Sequence, residues 1–98
     1  MQFSVKISDF QKNRMLNICD IDLLGKKIVQ DKLNMNISKS YYGEKIIEHE
    51  EAKNLLKTSA IINMVGKNTV SLSLELGVGS ENGVKIVGGV PFLIVFKV

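Results

Sequence analysis

The sequence is poor in the side chains on which most catalysis and metal binding depend. It holds one cysteine, Cys19, one histidine, His49, and one arginine, Arg14. A lone cysteine excludes an internal disulfide and a cysteine metal cluster within one chain. Free cysteines behave mostly as small buried residues, and Cys19 is read that way, because a nucleophilic role needs a base that the sequence does not name. A zinc site would have to draw its remaining ligands from carboxylates. Glu48, Glu50 and Glu51 surround His49, but consecutive residues on a helix point in different directions and cannot converge on one ion. The serines have only that histidine to activate them, and no nucleophile elbow is present. Neither Gly77-Val78-Gly79 nor Gly88-Gly89 has the following lysine and hydroxyl of a phosphate loop. No catalytic residue, metal ligand or cofactor is therefore expected, which argues against an enzyme.

Long apolar runs are also missing. The longest, Val90 to Phe96, includes Pro91 and has strand length, far short of the roughly 20 residues that cross a bilayer. The N-terminal Met-Gln-Phe-Ser-Val-Lys alternates in place of a signal-peptide block. The expectations are no membrane association and a cytoplasmic location. The 98 residues suit one domain over 1–98, and 45% hydrophobic content is enough for a core. The net charge is +3, and twelve of the 13 basic residues are lysines. Lysines keep a surface soluble and attract anions as point charges, but they lack the bidentate fork of arginine.

The apolar pattern favours strands at both ends. Phe3, Val5 and Ile7 alternate with polar residues as in a half-buried strand. Met15, Leu16, Ile18 and Cys19 follow after a turn over Asp9 to Asn13, so an antiparallel pair is predicted. Asp20 and Asp22 then suit the start of a helix carrying Ile21, Leu23, Leu24, Ile28 and Val29. Gly25 is awkward inside it, at about 1 kcal/mol against alanine. Leu33, Met35 and Ile37 read as a third strand, Gly43 as a turn residue, and Lys45 to Ile47 as a short extended piece. A helix is predicted from Glu48 or His49 to Gly66, apolar nearly all round at Ile61 to Val65. Val70 to Leu76 alternates like a strand, yet Asn68 and Gly77 could cap and end a helix. Val84 to Val87 and Phe92 to Val98 are predicted strands, joined around Gly88-Gly89-Val90-Pro91, where a residue without an N–H belongs at a bend or a sheet edge. The fold class is α+β: a single compact domain, mostly antiparallel small sheet, with two to three helices packed on it.

The succession Cys19-Asp20, Leu23-Leu24-Gly25-Lys26, Tyr42-Gly43, Asn63-Met64-Val65-Gly66 and Gly88-Gly89-Val90-Pro91 resembles the archaeal "domain of unknown function 424" family. The resemblance covers almost the whole chain and rests on the order of motifs. It implies an archaeal source, a compact mixed α and β domain and a helix over Val70 to Leu76. It implies no reaction. One departure is Phe92, where similar proteins are expected to carry a histidine after the Gly-Val-Pro turn. A structural role for the turn with Gly88, Gly89 and Pro91 is the resulting expectation, beside the turn and helix-end roles expected of Gly25, Gly43 and Gly66.

What remains is binding. Tyr41 and Tyr42 stand among Lys39 and Lys45, and in an extended segment one ring would be buried and the other exposed. An exposed aromatic can stack on a base while lysines meet phosphates. Lys26, Lys27 and Lys32 would extend that surface if the fold brings them close. The expected function is a non-enzymatic binding module that contacts RNA or a ribosome-related, translation-associated assembly. The alternative is a protein-interaction or homo-oligomeric module, motivated by the apolar segments Ile61 to Val65 and Phe92 to Val98.

Overall fold

The computed structural model describes residues 1–97. Its strands are β1 (Gln2–Phe10), β2 (Asn13–Asp20), β3 (Lys27–Gln30), β4 (Leu33–Asn36), β5 (Lys45–Glu48), β6 (Ile61–Val65), β7 (Lys85–Val87) and β8 (Val90–Phe96). The helices are α1 (Lys39–Tyr42), α2 (His49–Thr58) and α3 (Lys67–Glu75). Six strands form one sheet in the order β5-β1-β2-β6-β8-β7, and β3-β4 is a separate hairpin. Within the sheet only β2 and β6 run parallel. The fold is α+β with a mostly antiparallel sheet, and no helix among the described residues is long and apolar enough to cross a membrane. Val98, at the end of the last predicted strand, lies outside the described residues.

Strand alternation sends Phe3 and Val5, Leu16 and Ile18, Ile62 and Met64, and Leu93 to one face. There they meet Ala52, Leu55 and Leu56 of α2 and Val70 and Leu72 of α3 in the main core. The first two strands form as the alternation requires, with Val5 opposite Ile18 and Ile7 opposite Leu16.

Two predicted helices differ from the structure, each for an identifiable reason. The helix expected to reach Gly66 stops at Thr58, and Ile61–Val65 is the central strand β6. A short, mostly apolar run fits a buried strand and the end of a buried helix alike, so periodicity cannot separate the two. Its β-branched Ile61, Ile62 and Val65 favour the extended form. The last turn of α2 is closed from elsewhere: Lys97 Nζ donates to the carbonyls of Leu56 (2.7 Å) and Lys57 (2.9 Å), a cation at a helix C-terminus.

The helix expected after Asp20 is a single 3-10 turn, Ile21–Leu23, before β3. Gly25 ends it with φ +86°. Asp20 caps a helix, but a distant one. Its buried carboxylate accepts from Asn68 N (3.0 Å), Thr69 N (2.8 Å) and Thr69 Oγ1 (2.7 Å), at the start of α3. Gly66 makes room for it: its φ is +111°, and an added Cβ would collide with the Asp20 carboxylate. Pro91 sits beside this joint. Gly66 N donates to the Pro91 carbonyl (2.9 Å), and because proline has no N–H to return, the Gly66 carbonyl is left to accept from Val70 N (3.0 Å). One strand thereby stops and the helix α3 starts.

Candidate functional site

The second face of the sheet is half covered. The β3-β4 hairpin and α1 lie over one half, where Cys19, Ile28, Ile37 and Val65 are buried, with Met35, Tyr42, Val87 and Phe92 packed against them. The cover is tied down at several points. Gly25 N donates to the Ile37 carbonyl (2.7 Å) and Ile37 N to the Lys26 carbonyl (2.9 Å). Gly88 N donates to Gln30 Oε1 (2.8 Å), Ser4 Oγ to the Tyr42 carbonyl (2.6 Å) and Lys6 Nζ to the Ser40 carbonyl (2.9 Å). Burial pushes the Cys19 thiol up to about 12, with Asp20 and Asp22 adding to the effect, so the thiol is held neutral and inert. Burial also raises the Tyr42 phenol, and the nearby Cys19 adds to it.

The other half of this face is open. Ser8, Met15, Ile61 and Phe96 form one row across β1, β2, β6 and β8, and Lys6, Asn17, Asn63 and Ile94 form the next. Large apolar side chains stand uncovered here: Phe96 is 68% exposed, Ile94 59% and Phe10, at the end of β1, 49%. Tyr41 of α1 is 64% exposed. Between the two halves runs a groove of about 280 Å³ lined by Met35, Tyr42, Asn63, Val87, Phe92 and Ile94, with Lys85 on its wall.

An amide chain connects α1 to that groove. Asn17 Nδ2 donates to the Tyr41 carbonyl (3.1 Å), and Asn63 Nδ2 donates to Asn17 Oδ1 (2.7 Å). A backbone carbonyl can only accept, so Asn17 must turn its NH2 toward Tyr41 and its oxygen toward Asn63. The direction of the chain is thus fixed, and it ends on the Asn63 oxygen.

The residues picked out in the sequence fall in different places. Tyr41 and Tyr42 occupy a short helix instead of an extended segment. They still divide as exposed and half-buried, because adjacent helical residues also diverge. Lys39 shares that helix, and Lys26, hydrogen-bonded to Ile37, lies close to it along the chain ladder. Lys27 follows at the start of β3, but Lys32 is at the far tip of the hairpin, beyond the last pair Gln30–Leu33. Lys45 is paired with Glu51 at 2.7 Å. The seven residues therefore do not make one continuous basic patch. Sequence reasoning singled out none of Lys6, Phe10 and Asn17, and took Asn63 and Phe96 only as parts of the apolar segments Ile61 to Val65 and Phe92 to Val98. The readable signal was a single amide in the middle of each apolar run, Met15–Cys19 and Ile61–Val65. A wider depression of about 550 Å³ lies between α3 and β7, lined by Val70, Leu74, Val84 and Ile86 with Lys67 and Glu81. Among the described residues no three His, Cys, Asp or Glu side chains converge as metal ligands would.

These features define an α+β domain whose mixed sheet is packed by helices on one face and half roofed by a hairpin on the other. The chain belongs to the family described as "Protein of unknown function (DUF424)", which matches residues 9–98. Among solved structures it is similar to an uncharacterized conserved protein from the archaeon Methanopyrus kandleri, with a TM-score of 0.80 and 23% identity. That match covers 100% of this chain and 95% of the other, and it bears on the fold alone. No curated protein matches the chain.

Proposed function

We propose that the protein is a non-enzymatic binding module that takes single-stranded RNA across the open half of its second sheet face. The observation carrying this reading is the set of exposed rings, Phe10, Tyr41 and Phe96, with Lys6 on the same sheet face and bonded to the Ser40 carbonyl, and Lys39 on the helix that carries Tyr41. Aromatic rings on an open sheet face stack bases of single strands, and lysines meet the backbone phosphates. Neighbouring strands are roughly 4.8 Å apart, so β1 to β8 spans about 15 Å, room for a few nucleotides. Of the residues picked from the sequence, Lys39 and Tyr41 belong to this surface, with Lys26 and Lys27 at its margin. Tyr42 lines the adjoining groove, while Lys32 and Lys45 stand apart. A translation-associated or ribosome-related RNA is the partner class that the reading favours.

The test is fluorescence anisotropy with a labelled single-stranded RNA over a salt series. Binding should weaken steeply with salt, and Phe96→Ala and Tyr41→Ala should each lower affinity about ten-fold or more. Absence of binding even at low salt would refute the reading. A second reading, a homo-oligomeric module, draws on Ile94 and Phe96. The short β7 pairs only with Val90–Phe92 of β8, so the outer edge of β8 beyond Phe92 has no strand beside it among the described residues. Light scattering over a concentration series separates the two, since this second reading requires a dimer that Phe96→Asp dissolves.

A further inference from the structure

We propose that the groove between the hairpin and β8 is a subsite for one adenine base, read by the side-chain amide of Asn63. This inference rests on the reading of the open face as a nucleic-acid surface, and it names the base that the surface prefers.

The amide chain sets the orientation of Asn63. The Tyr41 carbonyl orients Asn17, and Asn17 orients Asn63. One N–H of Asn63 is used at Asn17 Oδ1. Its oxygen and its second N–H remain as an adjacent acceptor and donor on the groove wall. That pair complements a donor beside an acceptor, which adenine presents as its exocyclic amine next to a ring nitrogen; asparagine meets adenine in this bidentate way.

The walls narrow the choice further. Met35, Tyr42, Val87, Phe92 and Ile94 offer aromatic and aliphatic surface to the faces of a ring, and few polar groups to its edge. In such a groove the favoured base is the one left with the least unpaired polarity. Adenine has no carbonyl oxygen. Guanine, uracil and cytosine each carry at least one, and the Met35, Val87, Phe92 and Ile94 side chains offer it no donor. A volume of about 280 Å³ lies just below the roughly 300–1,000 Å³ of pockets for drug-sized ligands, which suits one flat ring system. Lys85 on the groove wall supplies a cation for the phosphate of that nucleotide. Position 92, expected from the family resemblance to be histidine, contributes here a phenyl ring to the base-stacking wall.

The same chemistry could come from an RNA or from a free adenine nucleotide, so the experiment uses both. Oligo(A), oligo(U) and oligo(C) RNA, and free AMP, GMP and UMP, are titrated into 15N-labelled protein, following the Asn63 side-chain NH2 resonances alongside affinity. The intact protein should prefer oligo(A) by about ten-fold, with the Asn63 NH2 signals moving on binding. Asn63→Asp, which keeps the shape and removes the donors, should abolish the preference, and Asn17→Leu, which frees Asn63 to turn, should weaken it. Thermal unfolding of both variants verifies that they are folded. Equal binding of all three oligomers, unchanged in Asn63→Asp, would overturn the adenine subsite while leaving the RNA surface intact. Preference for AMP without any oligomer binding would uphold the subsite and refute the RNA surface. No binding of either kind would overturn both.

Discussion

The same three strands supply both halves of the second sheet face, and the halves differ in what covers them. β2 contributes Cys19 to the roofed half and Met15 to the open one; β6 contributes Val65 and Ile61, and β8 contributes Phe92 and Phe96. The residue types are alike. Val65 is buried under the hairpin, whereas Phe96 stands mostly in solvent. Hydrophobicity therefore decides only that a residue could be core. A covering element decides whether it is, and here the β3-β4 hairpin is too short to reach the far end of the sheet. An apolar, partly aromatic surface left open next to lysines is the expected form of an interaction site.

The largest contrast should be in stability. Ile37→Ala, in the roofed half, should destabilise the fold by about 2–5 kcal/mol, while Phe96→Ala should change it by less than about 1 kcal/mol, as read from urea unfolding. Equal effects would erase the distinction between the halves. RNA affinity should rank these variants in the opposite order. Phe96→Ala should lose about 1–3 kcal/mol of binding, and Ile37→Ala, measured where it is folded, should bind like the parent.

The roofed half should also carry a pH signature. The Cys19 thiol is raised by burial to about 12, against about 8.5 for a free thiol. The folded state thus holds a proton that the unfolded state releases. Its stabilising contribution is complete below about 8.5 and is lost as the pH rises toward about 12, at up to about 1.4 kcal/mol per pH unit. Tyr42, also raised, acts in the same direction at the alkaline end. The difference in unfolding free energy between the parent and Cys19→Ala across this range isolates the thiol; a flat difference would contradict its burial. The smallest effect expected is electrostatic. Lys6→Ala should lower the salt slope of RNA binding by about one phosphate contact, whereas Lys45→Ala, whose charge faces Glu51, should leave it unchanged.

Local pattern made much of the fold legible. The alternation of Phe3, Val5 and Ile7 and the short connection to Met15–Cys19 define the β1-β2 pair, and the helix start at His49 follows from Glu50 and Glu51. The family resemblance resolved Val70 to Leu76 as helical, in agreement with α3. What stayed hidden depends on contacts between distant parts of the chain. β6 reads as the end of a helix because its strand partners, β2 and β8, lie far off in the sequence and are invisible locally. Asp20 has the chemistry of a cap, but the Asn68 N–H that it accepts from lies 48 residues away. The site shows the same division. Tyr41 and Lys39 could be chosen by type and neighbourhood, whereas the Asn17–Asn63 contact spans 46 positions and exists only because β2 and β6 lie parallel. Phe96 could be seen as apolar, but its exposure depends on where the hairpin ends.

The central claim, that the open half of the second face is the binding surface, is tested most directly by mapping RNA contacts residue by residue. A titration of 15N-labelled protein with a short single-stranded RNA should shift the amide resonances of Lys6, Met15, Tyr41, Asn63, Ile94 and Phe96, and leave those of α2 and the outer side of α3 in place. Shifts confined to the helical face, or no shifts at low salt, would contradict the account.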